Sequence, residues 1–126
     1  MEILVTGGAG FIGSHLVDRL IALGHKVVII DNLTTGKRTN INPKAQFYEM
    51  DINDKELTQV FEKYKPEYLF HLAAQVDVRK SVKDPMYDAR TNIMGTINLL
   101  SLCSEFRVKK FIFSSSGGVI YGDTKE

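Results

Sequence analysis

Apolar and polar positions fall along this chain in blocks that read as strand and helix in alternation. The apolar run Ile3–Val5 predicts a first strand over Glu2–Thr6. After a glycine-rich turn, Ile12, Leu16, Leu20 and Leu23 recur at helical spacing. They predict a helix over Phe11–Leu23, stopped by Gly24, with those four residues covering the sheet. Val27–Ile30 is apolar throughout and predicts a second strand, Lys26–Asp31; the polar stretch Asn32–Asn40 reads as a loop. Gln46–Met50 predicts a third strand closed by Asp51. Asp54 then caps a helix that carries Leu57, Val60, Phe61 and Tyr64 and ends at Pro66. Tyr68–Ala73 predicts a fourth strand and Val76–Lys83 a turn or short helix. Asp84 and Pro85 open a long helix to about Phe106, and Lys110–Ser115 predicts a fifth strand. Strands separated by such helices imply right-handed crossovers and a parallel sheet. The expected fold class is therefore α/β, a doubly wound parallel sheet with about five strands present.

The long helix carries two apolar stripes. Met86, Ala89, Ile93, Ile97 and Leu100 form one, and Leu99, Leu102, Cys103 and Phe106 the other. One stripe suffices to pack on the sheet. The second is read either as contact with another part of the same protein or as a subunit interface.

Composition narrows the class. A chain of 126 residues makes one domain, 1–126, with a real core, yet it is short for a two-domain enzyme. A doubly wound sheet usually has at least one more strand and helix, so the chain reads as the front part of something larger. The apolar share of 44% and charged share of 25% are ordinary globular values and argue against disorder. A net charge of +1 gives no reason to expect nucleic acid or an anionic membrane as a partner. The single cysteine, Cys103, can form no internal disulfide, and no metal-ligand spacing is present, which fits a reducing cytoplasm. The first strand begins at once, leaving no room for a signal peptide, and no apolar run reaches membrane-span length.

The chemistry starts at the first turn. Gly7, Gly8, Gly10 and Gly13 lie between a strand and a helix, and the next strand ends on Asp31, eighteen residues past Gly13. This is the dinucleotide-binding fingerprint of a Rossmann-type sheet. One glycine makes the tight turn, one lets backbone approach a pyrophosphate, and the last packs helix against sheet. The helix N-terminus presents its unpaired amides to the phosphates. Asp31 sits where a carboxylate accepts hydrogen bonds from both adenine ribose hydroxyls. It would repel a 2′-phosphate, so NAD is favoured over NADP, a preference that Lys37 and Arg38 further along could soften.

The segments Val5–His15, Asp31–Leu33, His71–Ala74, Thr91–Thr96, Phe113–Ser116 and Ile120–Gly122 resemble the extended short-chain dehydrogenase/reductases. Their nearest resemblance is to the NAD-dependent sugar-nucleotide epimerase/dehydratase branch, typified by the UDP-glucose 4-epimerases. The resemblance runs the length of the chain and implies an isomerase of carbohydrate metabolism, with a UDP-hexose as substrate and a homodimer in the full-length form. It implies that Gly7, Gly10 and Gly13, with Phe11 and Ile12, wrap the pyrophosphate. Asp31 would hold the adenosine ribose, with Asn32 beside it, and Leu33, Gly36 and Lys37 would border the adenosine phosphate end. Asp51 and Ile52 would flank the adenine. Leu72, Ala73, Ala74 and Gln75 would line the floor under the cofactor ribose, and Thr91 or Asn92 would reach the nicotinamide side. Ser116 matches the catalytic Ser/Thr position, one residue further from the Tyr-Gly pair than in some members.

In that family a tyrosinate takes a hydroxyl proton from the sugar as hydride leaves to the nicotinamide, helped by a lysine one helical turn on. The one Tyr-x-x-x-Lys match here, Tyr121 to Lys125, is read as a decoy, because Gly122 and Asp123 are poor helix residues and Tyr121 follows Ser116 too closely. The true dyad and the sugar-binding domain would then lie beyond Glu126. The alternative function is an NAD-binding module without turnover. A dehydratase is disfavoured, because Gly117 and Gly118 stand where that branch carries an acidic pair. Ser114 and Ser115 read as structural, His71 as a hydrogen-bonded structural histidine, His15 as surface or packing, and Cys103 as core or interface.

Overall fold

In the computed structural model, which describes residues 1–33, 36–72, 86 and 93–113, the apolar runs lie side by side as strands. β1 (Glu2–Thr6), β2 (Lys26–Asp31), β3 (Gln46–Glu49), β4 (Tyr68–His71) and β5 (Lys110–Phe113) form one parallel sheet in the order β3-β2-β1-β4-β5. The order reverses direction between β1 and β4, so the two neighbouring crossovers leave a crevice beyond their carboxyl ends. The register places Thr6 between Ile30 and His71, and Asp31 beside Glu49.

Among the described residues, three helices cover the sheet: α1 (Phe11–Ala22), α2 (Leu57–Tyr64) and α3 (Gly95–Glu105). Both faces of the central strands are buried, which is why β1 and β2 read as unbroken apolar runs rather than as alternating ones. On one face, Leu4, Val28, Ile30 and Leu69 pack with Leu57, Val60 and Phe61 of α2 and Leu99, Leu102 and Cys103 of α3. On the other, Ile3, Val5, Val27 and Ile29 meet Val17 and Leu20 of α1. Each such buried aliphatic side chain contributes about 1.5–3 kcal/mol relative to exposure.

The helices and strands arise largely as the sequence predicts, with shorter ends. β3 stops at Glu49 and β4 at His71. Asp54 caps the turn ahead of α2 rather than the helix itself: its carboxylate accepts the Glu56 N–H at 2.9 Å. Lys65 takes a left-handed conformation (φ 46°) and ends α2, with buried Pro66 directly after it. Gly24 (φ 91°) turns the chain out of α1.

One predicted face is half right. Leu20 of the expected α1 stripe is buried and Leu16 packs against the same core, but Ile12 and Leu23 are 67% and 57% exposed, and Gly13 and Val17 are buried in their stead. Gly13 explains the rotation. Lacking a side chain, it lies directly on the glycine turn and carries the contact itself, which turns Ile12 outward.

On α3, the stripe of Leu99, Leu102 and Cys103 enters the core, while Ile97 and Leu100, with Ile93 just ahead of the helix, stay exposed. The expected turn or short helix at Val76–Lys83 and the strand residues Ala73, Ser114 and Ser115 lie outside the described residues.

Candidate cofactor site

The turn between β1 and α1 is built around carbonyl and amide contacts that admit no side chain. Gly7 has a φ of 75° and donates its N–H to the Ile30 carbonyl at 2.8 Å, which anchors the turn to β2. A Cβ on Gly8 would stand 2.7 Å from Ile29 Cγ2. A Cβ on Gly13 would stand 2.1 Å from the Gly7 carbonyl oxygen, well inside contact distance. The helix therefore starts tight against the turn. Gly10 occupies its N-cap and offers no side chain to the first-turn amides. Those amides lack partners within the helix and lie at the positive end of its dipole, beside exposed Phe11 and Ile12. A pyrophosphate fits such a cradle: it supplies the acceptors that the turn does not, and its charge is the one the dipole favours.

Asp31 closes the adjacent strand and is 7% exposed. Its Oδ2 accepts the Ala9 N–H at 3.0 Å and its Oδ1 accepts the Leu33 N–H at 2.7 Å. The carboxylate is thus fixed in orientation by main chain from both sides, and each oxygen keeps a further lone pair. Leu33 holds a positive φ of 61° to make this turn, and Asn32 beside it is exposed. Gly36 comes back against the same group, for a Cβ there would meet both Ala9 and Asp31 Oδ2 at 2.9 Å. Ala9 is the hub of this corner. Its carbonyl accepts the Lys37 N–H and the Asn40 side-chain amide, each at 3.0 Å. Gly7, Gly10, Phe11, Ile12, Gly13, Asp31, Asn32, Leu33, Gly36 and Lys37 are accordingly gathered at one corner of the sheet.

At the switch point, His71 is 1% exposed. Its Nδ1 lies 2.7 Å from Thr6 Oγ1 and its Nε2 lies 3.1 Å from Thr96 Oγ1 on α3. The Leu72 N–H donates to Thr6 Oγ1 at 3.0 Å, so one buried hydroxyl ties β1 to the chain leaving β4. Burial pushes the imidazole pKa down to about 4. His71 is a structural residue here, as its place at the end of a buried strand suggested.

Asp51 and Ile52 part company. Asp51 Oδ1 accepts the Asn53 N–H at 2.8 Å in the turn after β3. The Ile52 side chain is 4% exposed and packs in the core, where Gly95 leaves room for it. Its carbonyl accepts the Asn98 side-chain amide at 2.6 Å. An apolar side chain beside α3 gains more from the core than from an open crevice edge. Leu72 is partly buried against the α1-side core.

The expected residues Ala73, Ala74, Gln75, Thr91, Asn92 and Ser116 lie outside the described residues, as do Tyr121 and Lys125. Among the described residues, no group of acidic, histidine and cysteine side chains could hold a metal ion.

Three contributors were missed in the sequence. Thr6 ties β1 to the chain leaving β4, Asn40 donates to the Ala9 carbonyl beside Asp31, and Glu49 pairs with Arg38 on the surface. Thr6 left a signal, as a polar residue ending an otherwise apolar strand. Glu49 left none, because its place depends on strand register.

Residues 3–126 match the family model for the NAD dependent epimerase/dehydratase family. A putative UDP-glucose 4-epimerase of Methanocaldococcus jannaschii is 52% identical over 121 residues, covering 96% of this chain and 40% of that protein. The UDP-glucose 4-epimerase of Mycolicibacterium smegmatis is 47% identical, covering 97% of this chain and 41% of its own length. Among solved structures, the Thermotoga maritima UDP-glucose 4-epimerase with UDP-glucose superposes with a TM-score of 0.94 at 54% identity, over 100% of this chain and 41% of that one. The Thermus thermophilus UDP-glucose 4-epimerase complex with NAD gives 0.93 at 46% identity, over 100% of this chain and 41% of that one. The chain thus spans about two fifths of the length of these relatives. With the glycine cradle and a fixed Asp31 at the carboxyl edge of a β3-β2-β1-β4-β5 sheet, the chain belongs to the NAD dependent epimerase/dehydratase family.

Proposed function

We propose that residues 1–126 are the NAD-binding portion of a UDP-hexose 4-epimerase. The observation that carries this reading is the fixed corner formed by the Gly7–Gly13 cradle and Asp31, in a chain this similar to UDP-glucose 4-epimerases. The backbone amides at the start of α1 neutralise the pyrophosphate. Asp31, already aimed by Ala9 and Leu33, accepts the adenosine ribose hydroxyls. Lys37, at the mouth of the same corner, borders the adenosine phosphate end. When bound, NAD would supply a reversible acceptor for hydride from the sugar. Ser116 positions the sugar hydroxyl by hydrogen bonding, and the tyrosine–lysine dyad that moves the proton, with the domain that grips the sugar, is supplied by residues beyond Glu126.

The full-length protein acts as a homodimer in the cytoplasm. The exposed apolar stripe of Ile97 and Leu100 on α3, with Ile93 just ahead of it, supports an interface there, and the buried lone thiol of Cys103 supports a reducing compartment. No helix among the described residues is long and apolar enough to cross a membrane.

The test is interconversion of UDP-galactose and UDP-glucose by the full-length protein, alongside calorimetric titration with NAD. Turnover with NAD bound supports the reading. NAD binding without isotope exchange at the sugar C4 would leave only a binding module, and absence of NAD binding would overturn the cofactor assignment itself.

A further inference from the structure

Arg38 lies at the adenosine corner, where an arginine can serve a 2′-phosphate with its planar fork of donors. The path of the chain puts it there. Gly36 abuts the Asp31 carboxylate, the Lys37 N–H binds the Ala9 carbonyl, and Arg38 opens the short 3-10 turn Arg38–Asn40 that follows. Its guanidinium is nevertheless committed elsewhere. Nη2 is ion-paired with Glu49 Oε1, and the guanidinium carbon stands 5.5 Å from the centroid of the Phe47 ring. Phe47 and Glu49 are two apart on β3 and so share one face of the strand. They hold the group along that face at both its charge and its flat surface. Glu49 is also the register partner of Asp31, so two carboxylates end adjacent strands at this corner.

We propose that Glu49 is a positioning residue for cofactor selectivity: by holding Arg38 against β3, it withdraws the one guanidinium at this corner that could pair with a 2′-phosphate. The site then meets the adenosine ribose with Asp31, while Arg38 is already neutralised by a neighbour. NADP, which adds close to two negative charges at the 2′ position, finds no available fork there. NAD presents a hydroxyl and is served by Asp31. The two side chains of the pair are 66% and 51% exposed, so the pair contributes little to folding and can be changed without loss of the fold. This inference rests on the cofactor reading above.

The experiment measures dissociation constants of the full-length protein for NAD and for NADP by calorimetry, in the unaltered chain, in Glu49→Gln, and in Glu49→Gln combined with Arg38→Gln. Releasing Arg38 should tighten NADP roughly three- to fivefold, because holding it back costs NADP no more than an exposed ion pair is worth, and leave NAD within about twofold. Adding Arg38→Gln should abolish that gain. An unchanged NADP affinity in Glu49→Gln, with NAD still bound, overturns the inference while the cofactor reading stands. A gain that survives Arg38→Gln also overturns it, because the effect would then belong to the Glu49 charge alone. Failure of the unaltered protein to bind NAD overturns both.

Discussion

The buried imidazole of His71 makes stability depend on pH in a direction and window that the structure sets. In the folded chain the ring is enclosed between Thr6, Thr96 and the aromatic rings of Phe111 and Phe113, whose centroids lie 6.0 and 5.6 Å away. Desolvation lowers its pKa from 6.5 to about 4. Between these values the unfolded chain takes up a proton that the folded chain refuses, so the contribution is fully present above the unfolded pKa and is lost as pH falls toward 4. At about 1.4 kcal/mol per unit, the span corresponds to roughly 3 kcal/mol, a large share of a typical net stability. Two measurements on the full-length protein check this. The nitrogen shifts of the His71 ring, followed by NMR, should show a neutral imidazole down to below pH 5. Urea unfolding of the parent and of His71→Asn between pH 8 and pH 4.5 should give a difference in stability that shrinks as pH falls. A ring that titrates near its ordinary value, or parallel pH profiles for the two proteins, would refute the reasoning.

Three further outcomes follow from close contacts and burial. Gly13→Ala drives a methyl to 2.1 Å from a main-chain oxygen, so α1 must lift off the turn. We expect a loss of about 1–3 kcal/mol in urea unfolding and NAD affinity at least tenfold weaker by calorimetry; an unchanged affinity would show that the close approach does not shape the cradle. Gly95→Ala places its methyl 2.1 Å from Ile52 Cδ1, the end of a side chain rather than backbone. It should cost about 1–3 kcal/mol alone and less when Ile52→Val is added, a coupling that a thermal-unfolding cycle would read. Burial pushes the Cys103 thiol up to about 11, so a thiol reagent at pH 8 should label it only after urea unfolding. Rapid labelling of the native protein would contradict that enclosure.

The parallel sheet and the corner at Asp31 were legible because their causes are local. Strand, glycine turn, helix and acid follow one another within thirty-one residues, and each constrains its neighbour through main-chain geometry. The faces of α1 were less legible, because helical periodicity alone treats Ile12 as a core residue. What turns Ile12 outward is the contact between Gly13 and Gly7, a long-range consequence of having no side chain. The burial of Ile52 was hard to read for a related reason. It stands next to Asp51 in the chain, but Gly95, far along the sequence, opens the pocket that takes its side chain. The partnership of Arg38 with Glu49 depends on the register of β2 and β3. No spacing rule within either segment expresses it.

A common feature unites the residues at the site. Thr6, Asp31, Glu49 and His71 are each the last residue of their strand, and each is polar. Parallel strands bring all their carboxyl ends to one edge, so polar groups in those positions converge without any shared sequence pattern. The interior of a sheet buried on both faces excludes such groups, because an unpaired polar atom there costs about 1–3 kcal/mol. They are tolerated at the last position, where a turn supplies main-chain partners: Ala9 and Leu33 for Asp31, Leu72 for Thr6. The same constraint that keeps polar residues out of the core therefore collects them at the crevice. Two kinds of residue result, those that orient the corner and those that meet the cofactor, and they are told apart by exposure and partners rather than by residue type. His71, enclosed by two hydroxyls and two rings, is of the first kind; Asp31, with each oxygen held by one backbone amide and keeping a lone pair to spare, is of the second.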